Sequence, residues 1–113
     1  MAITIYHNPK CSNSRGALER IRARGHEPHI VEYLKTPPSR EELKALLDKM
    51  GMKPGELVRT KEPVYAELGL GEAGEEQLLA AMAEHPILMN RPIVVAGARA
   101  ILARPPERVE ELL

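Results

Sequence analysis

Apolar and polar residues alternate at the head of the chain. Over residues 2–6, Ile3 and Ile5 stand opposite Thr4 and Tyr6, the two-residue period of a half-buried strand. The period then lengthens. Over residues 14–24, Ala17, Leu18 and Ile21 share one side while Arg20, Arg22 and Arg24 fall elsewhere, which predicts an amphipathic helix ended by Gly25. His29-Ile30-Val31-Glu32-Tyr33 predicts a second strand. Strand, helix and strand in quick succession make a βαβ unit, so the two strands are expected to be parallel.

Thr36-Pro37-Pro38 interrupts this pattern, and Ser39 with Glu42 three residues on forms a capping box ahead of Leu43, Leu46, Leu47 and Met50. Gly51 closes that helix. Residues 54–83 are predicted to be helical in pieces: a turn through Leu57, another through Tyr65 and Leu68, then a helix from Glu75 to Ala83. Gly69, Gly71 and Gly74 separate the pieces, and the whole stretch lacks the composition of a linker. It is expected to be a helical insert, about 39–84, within a single domain spanning 1–113. Arg91-Pro92-Ile93-Val94-Val95 follows as a β-branched strand, Ala96-Gly97 can turn the chain, and Arg99-Ala100-Ile101-Leu102 can return it as a hairpin. Pro105-Pro106 then opens a final helix whose apolar face is Val109, Leu112 and Leu113. The layout βαβ, helical insert, ββα predicts an α/β, thioredoxin-like fold.

Composition narrows what such a fold can do. Sixteen basic and sixteen acidic side chains balance to zero, which argues against a broad nucleic-acid surface but not against a local cationic pocket. No apolar run reaches the roughly 18–20 residues that span a bilayer, so no membrane segment is expected. Met1-Ala2-Ile3-Thr4-Ile5-Tyr6 turns polar too soon for a signal peptide. With one cysteine there is no internal disulfide, and a cytoplasmic enzyme is expected. The chain has no Trp and no Phe, so its core must come from Leu, Ile, Val, Met and Ala.

That one cysteine carries the candidate chemistry. Cys11 lies in His7-Asn8-Pro9-Lys10-Cys11-Ser12-Asn13-Ser14-Arg15, between the first strand and the first helix. A helix N-terminus favours a thiolate, because its amide N–H groups and its dipole both stabilise the anion. His7 can add positive charge and pair with the thiolate, or sit apart from it. Ser14 suits the helix N-cap, and its hydroxyl is also placed to donate to the sulfur. Arg15 puts a cation where the dipole disfavours one, a local conflict of the kind that marks sites. Cys11-Ser12-Asn13-Ser14 is C-x-x-S, so any redox cycle must borrow an external thiol.

Arg59, Arg91 and Arg104 each fall at the end of a predicted element, where side chains reach sites, and a guanidinium fork suits a tetrahedral oxyanion. Pro92 is tolerated as the first residue of a strand. His26, His29 and His85 have no ligand spacing with one another or with Cys11, so no metal is expected. Gly69-Leu70-Gly71 with Gly74 does not follow a strand and is set aside as a dinucleotide motif.

The segment Tyr6 to Arg15 resembles the active-site loop of the glutaredoxin-coupled arsenate reductase family. So do Tyr33-Leu34-Lys35-Thr36-Pro37-Pro38-Ser39, the run from His85 through Asn90-Arg91-Pro92-Ile93-Val94-Val95, and Arg104-Pro105, in family order and across essentially the whole chain. The resemblance implies that the Cys11 thiolate attacks arsenate and that His7 and Ser14 tune it. It also implies that Arg59, Arg91 and Arg104 bind the oxyanion; Arg15, from its place at the helix start, is expected to join them. Pro92 would be a cis-proline facing the thiol, and Asn8 a structural residue of the loop. No bound cofactor is implied; glutathione is the co-substrate, glutaredoxin the partner, and the protein a monomer. Ser12-Asn13 departs from the Gly-Thr of the better-known branch, and the chain is closer to a short branch. Two other readings fit the fold: a monothiol disulfide or deglutathionylation reductase, and a redox-related regulator that binds RNA polymerase. The regulator usually carries C-x-x-C, which Ser14 breaks.

Overall fold

The computed structural model describes residues 2–113, and Met1, at the head of the expected domain, lies outside the described residues. The chain gathers into two compact units, one made of the chain up to Thr36 together with Arg91–Leu113, the other of Pro37–Asn90.

The first unit is built on a four-stranded sheet. Strands β1 (Ile3–Tyr6), β2 (His29–Val31), β3 (Ile93–Ala96) and β4 (Arg99–Leu102) lie in the order β2-β1-β3-β4. β1 pairs in parallel with β2 and antiparallel with β3, so Thr4 faces His29 on one side and Val95 on the other. β3 and β4 form the expected hairpin, with Gly97 at φ 62 in its turn. A βαβ start followed by a ββ hairpin and a terminal helix is the thioredoxin-like arrangement. β2 stops at Val31 instead of reaching Tyr33. The N–H groups of Lys35 and Thr36 both donate to the Glu32 carbonyl at 2.9 Å, so the chain is already turning there. Tyr33 is buried all the same.

Helix α1 (Ser12–Ala23) buries Ser14, Ala17 and Ile21, and Gly25 ends it at φ 84. Gly25 N–H reaches Arg22 and His26 N–H reaches Ile21, which satisfies the last carbonyls. The helix begins earlier than the apolar pattern indicated. Its N-cap is Cys11, and Ser14 sits inside the first turn, so the expected capping role of Ser14 is not the one it plays.

The final helix, Pro106–Leu112, is a 3-10 helix and not an α-helix. Arg108 N–H donates to Pro105, and Leu113 N–H to Glu110, each three residues back. Val109 and Leu112 still share a face, because a spacing of three eclipses side chains in a 3-10 turn. That face closes a core with Ile3, Ile5, Ala17, Ile21, Val94, Ala96 and Ala103. Gly16 permits the approach of α1 to this helix: a Cβ at that position would lie 3.2 Å from both Cβ and Cγ of Pro106.

The second unit takes the helices of the expected insert. They are α2 (Arg40–Met50), α3 (Pro54–Leu57), α4 (Pro63–Glu67) and α5 (Glu75–Glu84), with 3-10 turns at Leu70–Glu72 and Pro86–Leu88. The Ser39–Glu42 capping box is present in both directions at 3.1 Å, and Gly51 caps α2 at φ 66. α2 and α3 pack on α5. Among the described residues no helix is long and apolar enough to cross a membrane.

Arg20 pairs with Glu107 at 3.3 Å and Arg24 with Glu110 at 2.8 Å, joining α1 to the terminal helix at the solvent edge of the core. Exposed pairs of this kind contribute about 0–1 kcal/mol each, whereas truncating a buried Ile to Ala costs about 2–5 kcal/mol. Ile21→Ala is therefore expected to lower the urea midpoint several times more than Arg24→Ala. Equal shifts in equilibrium denaturation would show that the ion pairs, and not the apolar face, hold α1 in place.

Candidate active site

The loop between β1 and α1 is shaped by its own side chains. Asn8 Oδ1 accepts from Lys10 N–H and the Asn8 carbonyl accepts from Cys11 N–H, both at 3.0 Å, which makes an Asx-type turn around Pro9. His7 N–H continues the sheet by donating to the Val31 carbonyl at 2.8 Å. Below the loop, the fully buried hydroxyl of Ser14 accepts the Asn8 N–H at 3.0 Å and lies 2.6 Å from His7 Nδ1. Strand end, turn and first helical turn are thereby fastened to one oxygen.

This places the Cys11 sulfur over the start of α1. Burial pushes the thiol up, but the backbone N–H of Ser14, the Arg91 side chain and the backbone N–H of Asn13 outweigh it. The thiol ends below its ordinary range. His7 does not supply the positive charge expected of it. Burial lowers its pKa from 6.5 more strongly than Glu32 raises it, and Arg22 and Arg15 push the same way as burial. The ring is therefore neutral near pH 7 and bonds to Ser14, not to the sulfur.

Arg104 approaches from the end of β4. Its Nη1 lies 3.9 Å from Cys11 Sγ and donates to the Arg91 carbonyl at 3.0 Å. The Arg91–Pro92 bond is cis, as the family resemblance implies, and so is Arg104–Pro105, for which the sequence carries no local signal beyond the proline itself. Pro92 is buried, and its carbonyl accepts the Ala103 N–H at 2.9 Å, joining the two cis segments. The side-chain amide of Asn13 also lies against Arg104, 3.2 Å from both Nη atoms. The signal for Asn13 was there in its place two residues after the cysteine.

The remaining candidates lie as follows. Arg15 donates from Nη1 to the Pro9 carbonyl at 2.9 Å and lines a cleft with His7, Pro9, Leu18, Glu19 and Arg22. Arg59 belongs to the second unit, where Nε donates to Glu62 Oε1 at 3.2 Å and Nη1 to Asn90 Oδ1 at 3.4 Å. Cys11, His7, Asn8, Ser14, Arg91, Pro92 and Arg104 are thus brought together within the first unit. Among the described residues no group of three or more His, Cys, Asp and Glu is arranged to hold a metal ion.

Comparison with known proteins bears on this arrangement. Residues 6–112 match the family model described as the ArsC family. An arsenate reductase of Rhizobium meliloti (strain 1021) is 51% identical over 115 residues, covering 100% of this chain and 82% of the relative. The uncharacterized protein YfgD of Escherichia coli (strain K12) is 46% identical, covering 98% of this chain and 96% of its own. An arsenate reductase from Vibrio cholerae has the same fold with a TM-score of 0.96 at 47% identity, covering 100% of this chain and 98% of that one.

Two outcomes follow from the electrostatics. The rate of Cys11 alkylation against pH is expected to inflect below the free-thiol value, and Arg91→Ala to move the inflection up. An unshifted thiol would refute the activation argument. The second concerns His7. Its folded pKa lies below 6.5, so as pH falls through that value the unfolded ring takes up a proton that the folded ring refuses. Stability should drop over this window and level off once pH is below the folded pKa. His7→Asn is expected to flatten that part of the pH dependence of the urea midpoint.

Proposed function

The chain belongs to the ArsC family, and on that premise we propose that it reduces arsenate to arsenite with the Cys11 thiolate as nucleophile. The observation that carries this reading is the sulfur itself. Its pKa is lowered by two amide N–H groups and Arg91, and the Arg104 guanidinium lies 3.9 Å away. Arsenate is a dianion near neutral pH, so a thiolate meets it only where fixed positive charge offsets the repulsion. Arg91 and Arg104 supply that charge beside the sulfur. Arg59 takes the same role by its place in the family motif, and Arg15 braces the loop.

The cycle balances with two thiols. Cys11 displaces an oxygen of arsenate as water and forms a sulfur–arsenic bond. Glutathione then brings the second thiolate. Two electrons pass to arsenic as a sulfur–sulfur bond forms, arsenite leaves, and Cys11 remains as a mixed disulfide with glutathione. Glutaredoxin attacks the glutathione sulfur and frees Cys11. Ser14 stands where a resolving cysteine would, which supports this borrowed-thiol route. The neutral His7–Ser14 pair holds the loop and takes no charge of its own. The protein works as a monomer in the cytoplasm, where reduced glutathione is maintained, and the cycle draws on no bound cofactor.

A coupled assay tests the reading: purified protein, glutathione, glutaredoxin, glutathione reductase and NADPH, with arsenate added last. Arsenate-dependent NADPH oxidation is expected, absent in Cys11→Ser and lowered about 10²-fold in kcat/KM by Arg91→Ala. A reactive Cys11 that gives no arsenate-dependent oxidation would overturn arsenate as substrate and leave the monothiol disulfide reductase in its place.

A further inference from the structure

Arg104 carries five N–H donors, and where they go decides what it can bind. Nη1 donates to the Arg91 carbonyl at 3.0 Å. Both Nη atoms face the side-chain amide of Asn13, and because both are donors the amide oxygen must be the atom turned toward them. In that orientation Asn13 Oδ1 accepts from Nη1 and from Nη2, each at 3.2 Å. Three donors are then used: two on Nη1, which are shared with the longer 3.9 Å contact to Cys11 Sγ, and one on Nη2. The Nε–H and the second Nη2–H have no acceptor among the described residues. They form one planar edge of the guanidinium, the edge that meets two oxygens of a tetrahedral anion side by side.

We propose that Asn13 is a positioning residue. It holds the end of the Arg104 guanidinium so that the Nε/Nη2 edge is offered to the oxyanion; Arg104 is not among the groups that lower the Cys11 thiol, so this role is separate from the activation of the sulfur. The inference rests on the oxyanion reading of the site. The two anchors act from different directions. The Arg91 carbonyl belongs to the cis peptide that joins it to Pro92, and the Asn13 amide rises from the first turn of α1. An arginine side chain has several rotatable bonds, and one hydrogen bond would leave the fork free to swing about it. Two acceptors fix its plane. Asn13 thereby has two separate connections to the site: its backbone N–H favours the thiolate, and its side chain orients the cation that receives the substrate.

That separation provides the test. Asn13→Ala keeps the backbone N–H and removes only the side-chain acceptor. Cys11 alkylation by iodoacetamide is followed in the full-length protein, against pH and against arsenate concentration, with no glutathione or glutaredoxin present. The Asn13→Ala variant should show the wild-type pH midpoint for the thiol but need about tenfold more arsenate to protect it, the effect of one lost hydrogen bond to a charged group. Asn13→Thr, which retains an oxygen acceptor, should recover part of that loss. Unchanged protection in Asn13→Ala would overturn the proposal, as would no recovery in Asn13→Thr. A shifted thiol midpoint would assign Asn13 a role in building the helix start and would also overturn it. Wild-type protein that arsenate fails to protect would instead refute the oxyanion reading itself, and the proposal with it.

Discussion

One buried oxygen organises this molecule's chemistry. Ser14 Oγ is fully buried, and a buried hydroxyl without partners costs about 1–3 kcal/mol. Here it is bonded to His7 at the end of β1 and to the Asn8 amide in the turn, while its own backbone lies in the first turn of α1. The direction from which Cys11 enters the helix follows from that junction. So does the aim of the amides that lower the thiol's pKa, since Ser14 N–H is the foremost of them. A hydroxyl is well suited to the task, because it accepts from one neighbour and shares a proton with the other.

The chain has no net charge, and yet its reactive loop is cationic. The arginines are divided by surroundings. Arg20, Arg22 and Arg24 are matched to Glu107, Glu27 and Glu110 at the surface, where water screens them. Arg104 is held by a carbonyl and an amide oxygen, neutral acceptors that keep it in place without cancelling its charge. Local positive potential therefore arises from the choice of neutral partners for a few side chains, with no need for a basic excess in the sequence.

What could be read from the sequence was whatever is decided locally. The alternation of Ile3 and Ile5, the Ser39–Glu42 box and the glycines at 25 and 51 are short-range signals, and each is present in the folded chain. The position of Cys11 announced the nucleophile for the same reason. Features decided by tertiary packing were harder. His7 reads as a cation until one knows that it is buried; its neutrality comes from the desolvation that the fold imposes. The last helix has an apolar spacing of three, which serves an α-helix and a 3-10 helix alike. Asn13 is an ordinary polar residue in a helix start until Arg104, ninety-one positions further on, arrives opposite it.

Gly16 has a consequence of another kind. Its missing side chain sets how near α1 comes to Pro106, and Pro106 lies two residues beyond Arg104. A larger residue at 16 is compatible with this spacing only if 106 shrinks or Pro106 gives way by a few tenths of an ångström. The two positions are thus coupled in one direction: a side chain gained at 16 presses on Pro106, in the segment that carries Arg104, while 106 can shrink first and make room for it. Epistasis between residues that touch no substrate is written into the fold at this one point of contact.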